Sequence, residues 1–201
     1  LDQGVDVNHI DLAQNIYPLS FDTESGTSPA KLFGDHGTHC AGIAAAVRNN
    51  GIQVAGVAPD AKIVSISNSL YSTPNSQLKR ADGFIWAYKN GVDVISNSWK
   101  SGTVHPAINE AIADAFKYGR EGKGCVIVFA AGNGGHIDVS YPANCNDKIL
   151  TVGALCSNGN ISYFSQTGDK LDVVAPGVDV LSTLPNNETG LKDGTSMACP
   201  H

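Results

Sequence analysis

The chain has 201 residues, 42% of them hydrophobic and 16% charged, and carries a formal net charge of -6. That balance suits one globular domain with a sizeable core and excludes a disordered or fibrous chain. Basic residues are scattered rather than clustered, which excludes a nucleic-acid or anionic-membrane surface, and no apolar run is long enough to span a bilayer.

From the N-terminus, "LDQG" (1–4) puts Asp2 at the end of an apolar strand, before a glycine that permits a sharp turn. "GDHGTHCAGIAAA" (34–46) puts His36 at the start of a helix of small residues that allow close packing. Apolar runs at 62–66 (KIVSI), 93–95 (DVI), 125–130 (CVIVFA), 149–154 (ILTVGA) and 171–175 (LDVVA) do not alternate polar with apolar. They read as strands buried on both faces.

Two amphipathic segments separate these strands. Ser76 is the expected N-cap of the first, with Leu78, Ala81, Ile85 and Trp86 on its apolar face and Asn90-Gly91 as its stop. Pro106 opens the second, where Ile108, Ala111, Ile112 and Ala115 repeat at i, i+3, i+4 and i+7 and Gly119 lies near the end. "NNETG" (186–190) reads as a loop, and "DGTSMACPH" (193–201) puts Ser196 at the start of another small-residue helix.

Alternating strands and helices with short connections predict an α/β fold of three layers, a mostly parallel β-sheet with helices on both faces. In such folds function gathers at the carboxyl ends of the strands, where the glycine-rich stretches lie.

The five cysteines, Cys40, Cys125, Cys145, Cys156 and Cys199, form no CxxC pair, which argues against a zinc ribbon. A strand between Cys145 and Cys156 would hold them too far apart to bridge. Free, mostly buried thiols are expected, and the redox compartment stays open.

Attack of a serine on a carbonyl needs a base for the hydroxyl proton and a buried carboxylate to fix the base's tautomer. Asp2, His36 and Ser196 supply that set. Each alone has an ordinary alternative: a turn-forming Asp, a core His, a solvated Ser. Two rival chemistries are weak. "GNGG" lacks the spacing and acidic partner of a nucleotide-binding loop. His36 and His39, with Asp35 and Cys40, have neither the i, i+4 zincin spacing nor an obvious third ligand.

Read together, "DHGTHCAGI", "AAGN", "YPA", "DVVAPG" and "GTSMACPH" resemble the subtilisin-like serine endopeptidases, in register from Asp2 to the last residue. The resemblance implies that Ser196 is the nucleophile, His36 the base, and Asp2 the group that orients the imidazole. It also implies an oxyanion hole made by the Asn133 side-chain amide and the Ser196 N–H, with His39 structural. It aligns Ser98-Trp99-Lys100 beside a substrate backbone, with Lys100 where glycine is usual. Ala130, Ala131 and Gly132 form the opposite wall, closed by the loop 134–140, where Asp138 reads first as a solvated loop carboxylate and only second as a partner for a basic P1 residue.

The resemblance further implies a structural Ca2+ held by side-chain oxygens of Asp11 and Asn50 and by the backbone carbonyls of Arg48, Ile52 and Val54. Cys40 resembles the thiol of a mercurial-sensitive subset of the family. Two departures stand out: Gln3 where Ser or Thr usually supports the Asp, and Ile10 where Pro is usual.

Residues 1–201 are thus expected to be a catalytic domain truncated at both ends and inactive alone. The complete protein is expected to be secreted and monomeric, made with a propeptide, and to cleave proteins or peptides. The rival expectation is an inactive scaffold of the same fold that only binds, and the intact Asp2, His36, Asn133 and Ser196 argue against it. Two sequons, at Asn160 and Asn187, matter only in a eukaryotic host.

Overall fold

The computed structural model describes residues 1–201. Four of the apolar runs, β3 (Val94–Asn97), β4 (Val126–Ala130), β5 (Leu150–Leu155) and β6 (Val173–Pro176), form one parallel sheet in the order β3-β4-β5-β6. The fifth, β2 (Ile63–Ser67), pairs in parallel with β1 (Ile16–Asp22) in a separate two-stranded sheet that Asp2 joins through a bridge to Ser67. The fold is α/β with a mostly parallel sheet, as the sequence predicts. Strand β1 was not foreseen: it contains Pro18 and exposes Tyr17 and Leu19, so it lacks the apolar pattern of the inner strands.

Successive residues of β4 show why these runs are apolar throughout. Ile127 and Phe129 face one way, into a core with Phe84, Ile108 and Ile112 from the helices α2 (Ser76–Lys89) and α3 (Pro106–Gly122). Val128 and Ala130 face the other, against Val152, Ala154, Ala198 and Cys199. A strand with packed neighbours on both sides has no use for alternating polar residues.

Helix α3 has the predicted face, with Ile108, Ala111, Ile112 and Ala115 all buried. Its N-cap is His105, whose Nδ1 accepts the Ala107 N–H at 3.2 Å, and Pro106 follows at the first turn. Helix α2 differs in two details. Ser76 is its first helical residue, and Asn75 takes the cap position without a side-chain bond. Its most buried line runs through Ala81, Phe84 and Ala87, while Leu78 is exposed. Trp86 instead stacks on Phe21 of β1, with ring centroids 5.4 Å apart.

The segment 186–190 is only partly a loop. Residues 188–190 belong to β8 (Glu188–Lys192), which pairs antiparallel with β7 (Val180–Leu184). The turn is confined to 185–187, where Asn186 and Asn187 both have positive φ, a conformation asparagine tolerates better than most residues. Helix α1 (His36–Ala45) packs on this hairpin, and α4 (Thr195–Ala198) follows it directly. All five cysteines are free, and no helix is long and apolar enough to cross a membrane.

Candidate active site

Asp2 sits where two backbone bonds hold it against β2: its N–H donates to Ile66 O at 3.1 Å, and its carbonyl accepts from Asn68 N at 2.8 Å. Gly4 then turns the chain away at φ +87, and a Cβ there would lie 2.0 Å from Lys31 O, so only glycine fits. The Asp2 carboxylate meets His36, the first residue of α1, with Nδ1 2.8 Å from Oδ1. The same oxygen accepts the Gln3 backbone N–H at 2.7 Å. Oδ2 is buried without a partner. The backbone N–H would be there with any residue at position 3, so Gln3 does not replace the hydroxyl of a Ser or Thr, and Oδ2 is left without a donor.

Burial alone would lower the basicity of His36, but the Asp2 carboxylate, helped by Cys40, outweighs it and the net shift is upward. A carboxylate at Nδ1 places the proton there and leaves Nε2 as the free base nitrogen.

Ser196 lies in the first turn of α4. Gly194 is the N-cap at φ 147 and ψ 159, a conformation reserved for glycine. A Cβ on Gly194 would lie 3.3 Å from Asn133 Nδ2 and 3.5 Å from Ser196 N, so these two groups border one small space. First-turn N–H groups have no acceptor inside their own helix, and Asn133 is likewise aimed. Its Oδ1 accepts the Thr195 N–H at 2.9 Å and the Thr195 hydroxyl at 2.8 Å, leaving the NH2 edge to donate elsewhere. Gly132 N–H in turn donates to Thr195 Oγ1 at 3.1 Å.

The Ser196 hydroxyl donates to the carbonyl of Ser98 at 3.1 Å, just beyond the end of β3. Cys40, one helical turn after His36, links the two halves of the site. Its Sγ is 3.9 Å from His36 Nδ1 and 3.5 Å from Ser196 O.

Residues 1–201 match the subtilase family. The chain belongs to it.

Among its relatives is thermitase of Thermoactinomyces vulgaris, 40% identical over 201 residues that make up all of this chain and 70% of thermitase. Subtilisin E of Bacillus subtilis (strain 168) is 39% identical over 206 residues, covering all of this chain and 51% of that protein. The major intracellular serine protease of the same strain is 36% identical over 210 residues, covering all of this chain and 64% of that one. The chain thus spans about half of subtilisin E and more of the other two.

In this subtilase, His39 is fully buried, and its Nε2 donates to Gly190 O of β8 at 3.1 Å. Burial lowers its pKa, as expected of a neutral ring inside the protein. His39 therefore docks α1 onto the hairpin that leads to Ser196, assisted by Ser182 Oγ on His39 O and Thr183 Oγ1 on Thr38 O, each at 2.8 Å. His9 makes a parallel contact, its Nε2 donating to Glu188 O at 3.2 Å while Nδ1 accepts from Asp11 N at 3.1 Å.

Of the residues aligned beside a substrate, Ser98 is buried and Lys100 exposed. The Trp99 ring belongs to the core, edge-on to Phe129 at 5.2 Å and beneath the Arg80 guanidinium at 5.2 Å, with Nε1 donating to Leu1 O. Ala130 and Ala131 are buried at the end of β4, ahead of Gly132. Asp138 is exposed, and its carboxylate lies against Gly168.

Asp11 is fully buried, and neutral donors alone meet its carboxylate: Asn50 Nδ2 at 2.6 Å on Oδ1 and Val54 N–H at 2.9 Å on Oδ2. The Arg48 guanidinium pairs with Asp60 instead. A buried carboxylate without a cationic partner is unfavourable, and a hard cation removes that cost. Asn50 Oδ1 already accepts the Ile52 N–H at 3.0 Å, so the Asn50 oxygen would reach an ion beside Asp11 only by giving up that bond. Asp11 thus supplies one hard, anionic oxygen donor of the kind Ca2+ takes.

The sequence does not single out Thr195, whereas Cys199 is the buried free thiol it leads one to expect. Thr195 orients Asn133. Cys199 packs under α4 with its thiol pushed up to about 11 by burial, which keeps it protonated and inert.

Proposed function

We propose that this domain is the catalytic part of a serine endopeptidase. The observation that carries the proposal is the 2.8 Å contact of His36 Nδ1 with Asp2, in a site whose other wall is the helix start bearing Ser196. Rotation about the Ser196 Cα–Cβ bond would exchange Ser98 O for His36 Nε2 as the hydroxyl's acceptor. His36 then takes the proton as Oγ adds to the peptide carbonyl, and later gives it to the departing amine, while Asp2 stabilises the imidazolium.

The oxygen of the tetrahedral intermediate would sit in the space beside Gly194, between Asn133 Nδ2 and Ser196 N. Donors fixed in advance by Thr195 need no reorganisation as charge develops. An extended substrate would run along Ser98, Trp99 and Lys100 on one side and Ala130, Ala131 and Gly132 on the other. Core placement of the Trp99 ring leaves its backbone and the Lys100 side chain to face the peptide.

A structural Ca2+ held by Asp11, Arg48, Asn50, Ile52 and Val54 belongs to the same proposal, and its chemistry is to neutralise the buried Asp11 carboxylate. Secretion, a propeptide and a monomeric state complete it, on the family resemblance alone. Hydrolysis of an unfolded protein substrate by the full-length protein tests the function. No turnover after correct maturation would refute it.

A further inference from the structure

Pro200 stands four residues after Ser196, at the position whose N–H would normally close a helical bond to the Ser196 carbonyl. Proline has no N–H. The helical path itself continues: Cys199 has φ -55 and ψ -44, and its N–H donates to Thr195 O at 2.9 Å. The carbonyl of Ser196 is therefore left free by one residue's chemistry, not by fraying.

Two side chains from elsewhere take its place. Ser98 Oγ donates to Ser196 O at 2.8 Å, and the Cys40 thiol donates to the same oxygen at 3.5 Å. Ser98 is 5% exposed, so its hydroxyl is withdrawn from solvent, and a hydroxyl has only one proton to give. Its carbonyl meanwhile accepts the Ser196 hydroxyl. One residue at the end of β3 thus grips Ser196 at both its backbone and its side chain.

We propose that Ser98 is a positioning residue for the nucleophile: its hydroxyl replaces the helical donor that Pro200 removes and so fixes the Ser196 backbone and the direction of its Cα–Cβ bond. Cys40, a weaker donor, acts on the same oxygen. The role is separate from any backbone contact that the Ser98 strand makes with substrate, and it rests on the protease function proposed above.

Restoring the missing donor distinguishes this role from simple packing. In the full-length protein, Ser98→Ala is measured in two backgrounds, unsubstituted and Pro200→Ala, the second supplying an N–H four residues after Ser196. In the first, kcat should fall roughly five- to tenfold with KM little changed, the scale of one hydrogen bond. In the second, the loss from Ser98→Ala should shrink to about twofold or less. Equal losses in both backgrounds, or a loss confined to KM, would overturn the proposal.

If Ser98→Ala does not fold, Ser98→Cys, which keeps a weaker donor, is compared in the same two backgrounds. It should lose activity only where Pro200 is retained. A fluorophosphonate probe on the unsubstituted protein separates the two levels. Labelling at Ser196 without the coupling sinks the positioning role alone, whereas no labelling sinks the protease function and this role with it.

Discussion

Thr195 gives both its backbone N–H and its hydroxyl to Asn133 Oδ1, at 2.9 and 2.8 Å, and so turns the Asn133 amide protons toward the space beside Ser196 N. Neither residue is informative alone. Their contact sets the direction of the Asn133 amide, which with the Ser196 N–H forms the donor pair proposed above.

Asn133→Ala should therefore lower kcat by about 10²–10³-fold with KM nearly unchanged, a magnitude known from subtilisin rather than derived from this structure. Thr195→Val should cost less, roughly tenfold, because the Thr195 N–H still holds the amide. Steady-state kinetics on the full-length variants check both. Equal losses would mean that Thr195 does more than aim the amide.

The pH profile tests the Asp2–His36 contact. His36 must be neutral to accept a proton, and its pKa is raised by Asp2 against the opposing effect of burial. The acid limb of kcat/KM should lie above the ordinary imidazole value of about 6.5. In Asp2→Asn the raising cause is gone, so the limb should move down while the rate falls by roughly 10⁴-fold. The same contact stabilises the fold fully below about pH 6.5, and that contribution fades as pH rises through the raised value. A limb that stays in place in Asp2→Asn would assign the shift to another group.

His36→Ala and His39→Ala should fail in different ways. The first should abolish turnover while leaving the melting temperature within a few degrees. The second should lower the melting temperature, because Gly190 O would be buried unpaired at a cost of about 1–3 kcal/mol, yet leave measurable turnover at low temperature. An inactive His39→Ala beside an active His36→Ala would reverse their roles.

Removal of Ca2+ with a chelator should lower the melting temperature of the full-length protein, and Asp11→Asn should abolish that sensitivity. An unchanged melt would show that the Asn50 and Val54 contacts satisfy Asp11 without an ion. Mercurials should inhibit through Cys40, whose sulfur lies within 4.8 Å of the ligand atoms of Asp2 and His36. Cys40→Ala should retain activity in their presence.

The sequence announced the inner strands and α3 because burial on both faces, or on one helical face, leaves a repeating apolar pattern. It concealed β1, whose half-exposed residues and Pro18 carry no such pattern, and β8, whose "ETGLK" looks like loop until β7 pairs with it. In the site, Asp2, His36, Asn133 and Ser196 stood out through their motifs. The orientation of Asn133 by Thr195 and the grip of Ser98 on Ser196 are contacts between residues 62 and 98 positions apart. Only folding brings such partners together, although Pro200 four residues after Ser196 already marked a carbonyl in need of a donor.

The most direct measurement is labelling of the full-length protein with a fluorophosphonate probe, followed by mapping of the modified residue. The predicted result is one adduct, on Ser196 Oγ, that disappears in His36→Ala and is strongly slowed in Asp2→Asn. Peptide hydrolysis with Ser196 unlabelled, or labelling that persists without His36, would contradict the assignment of these three residues to one proton-transfer site.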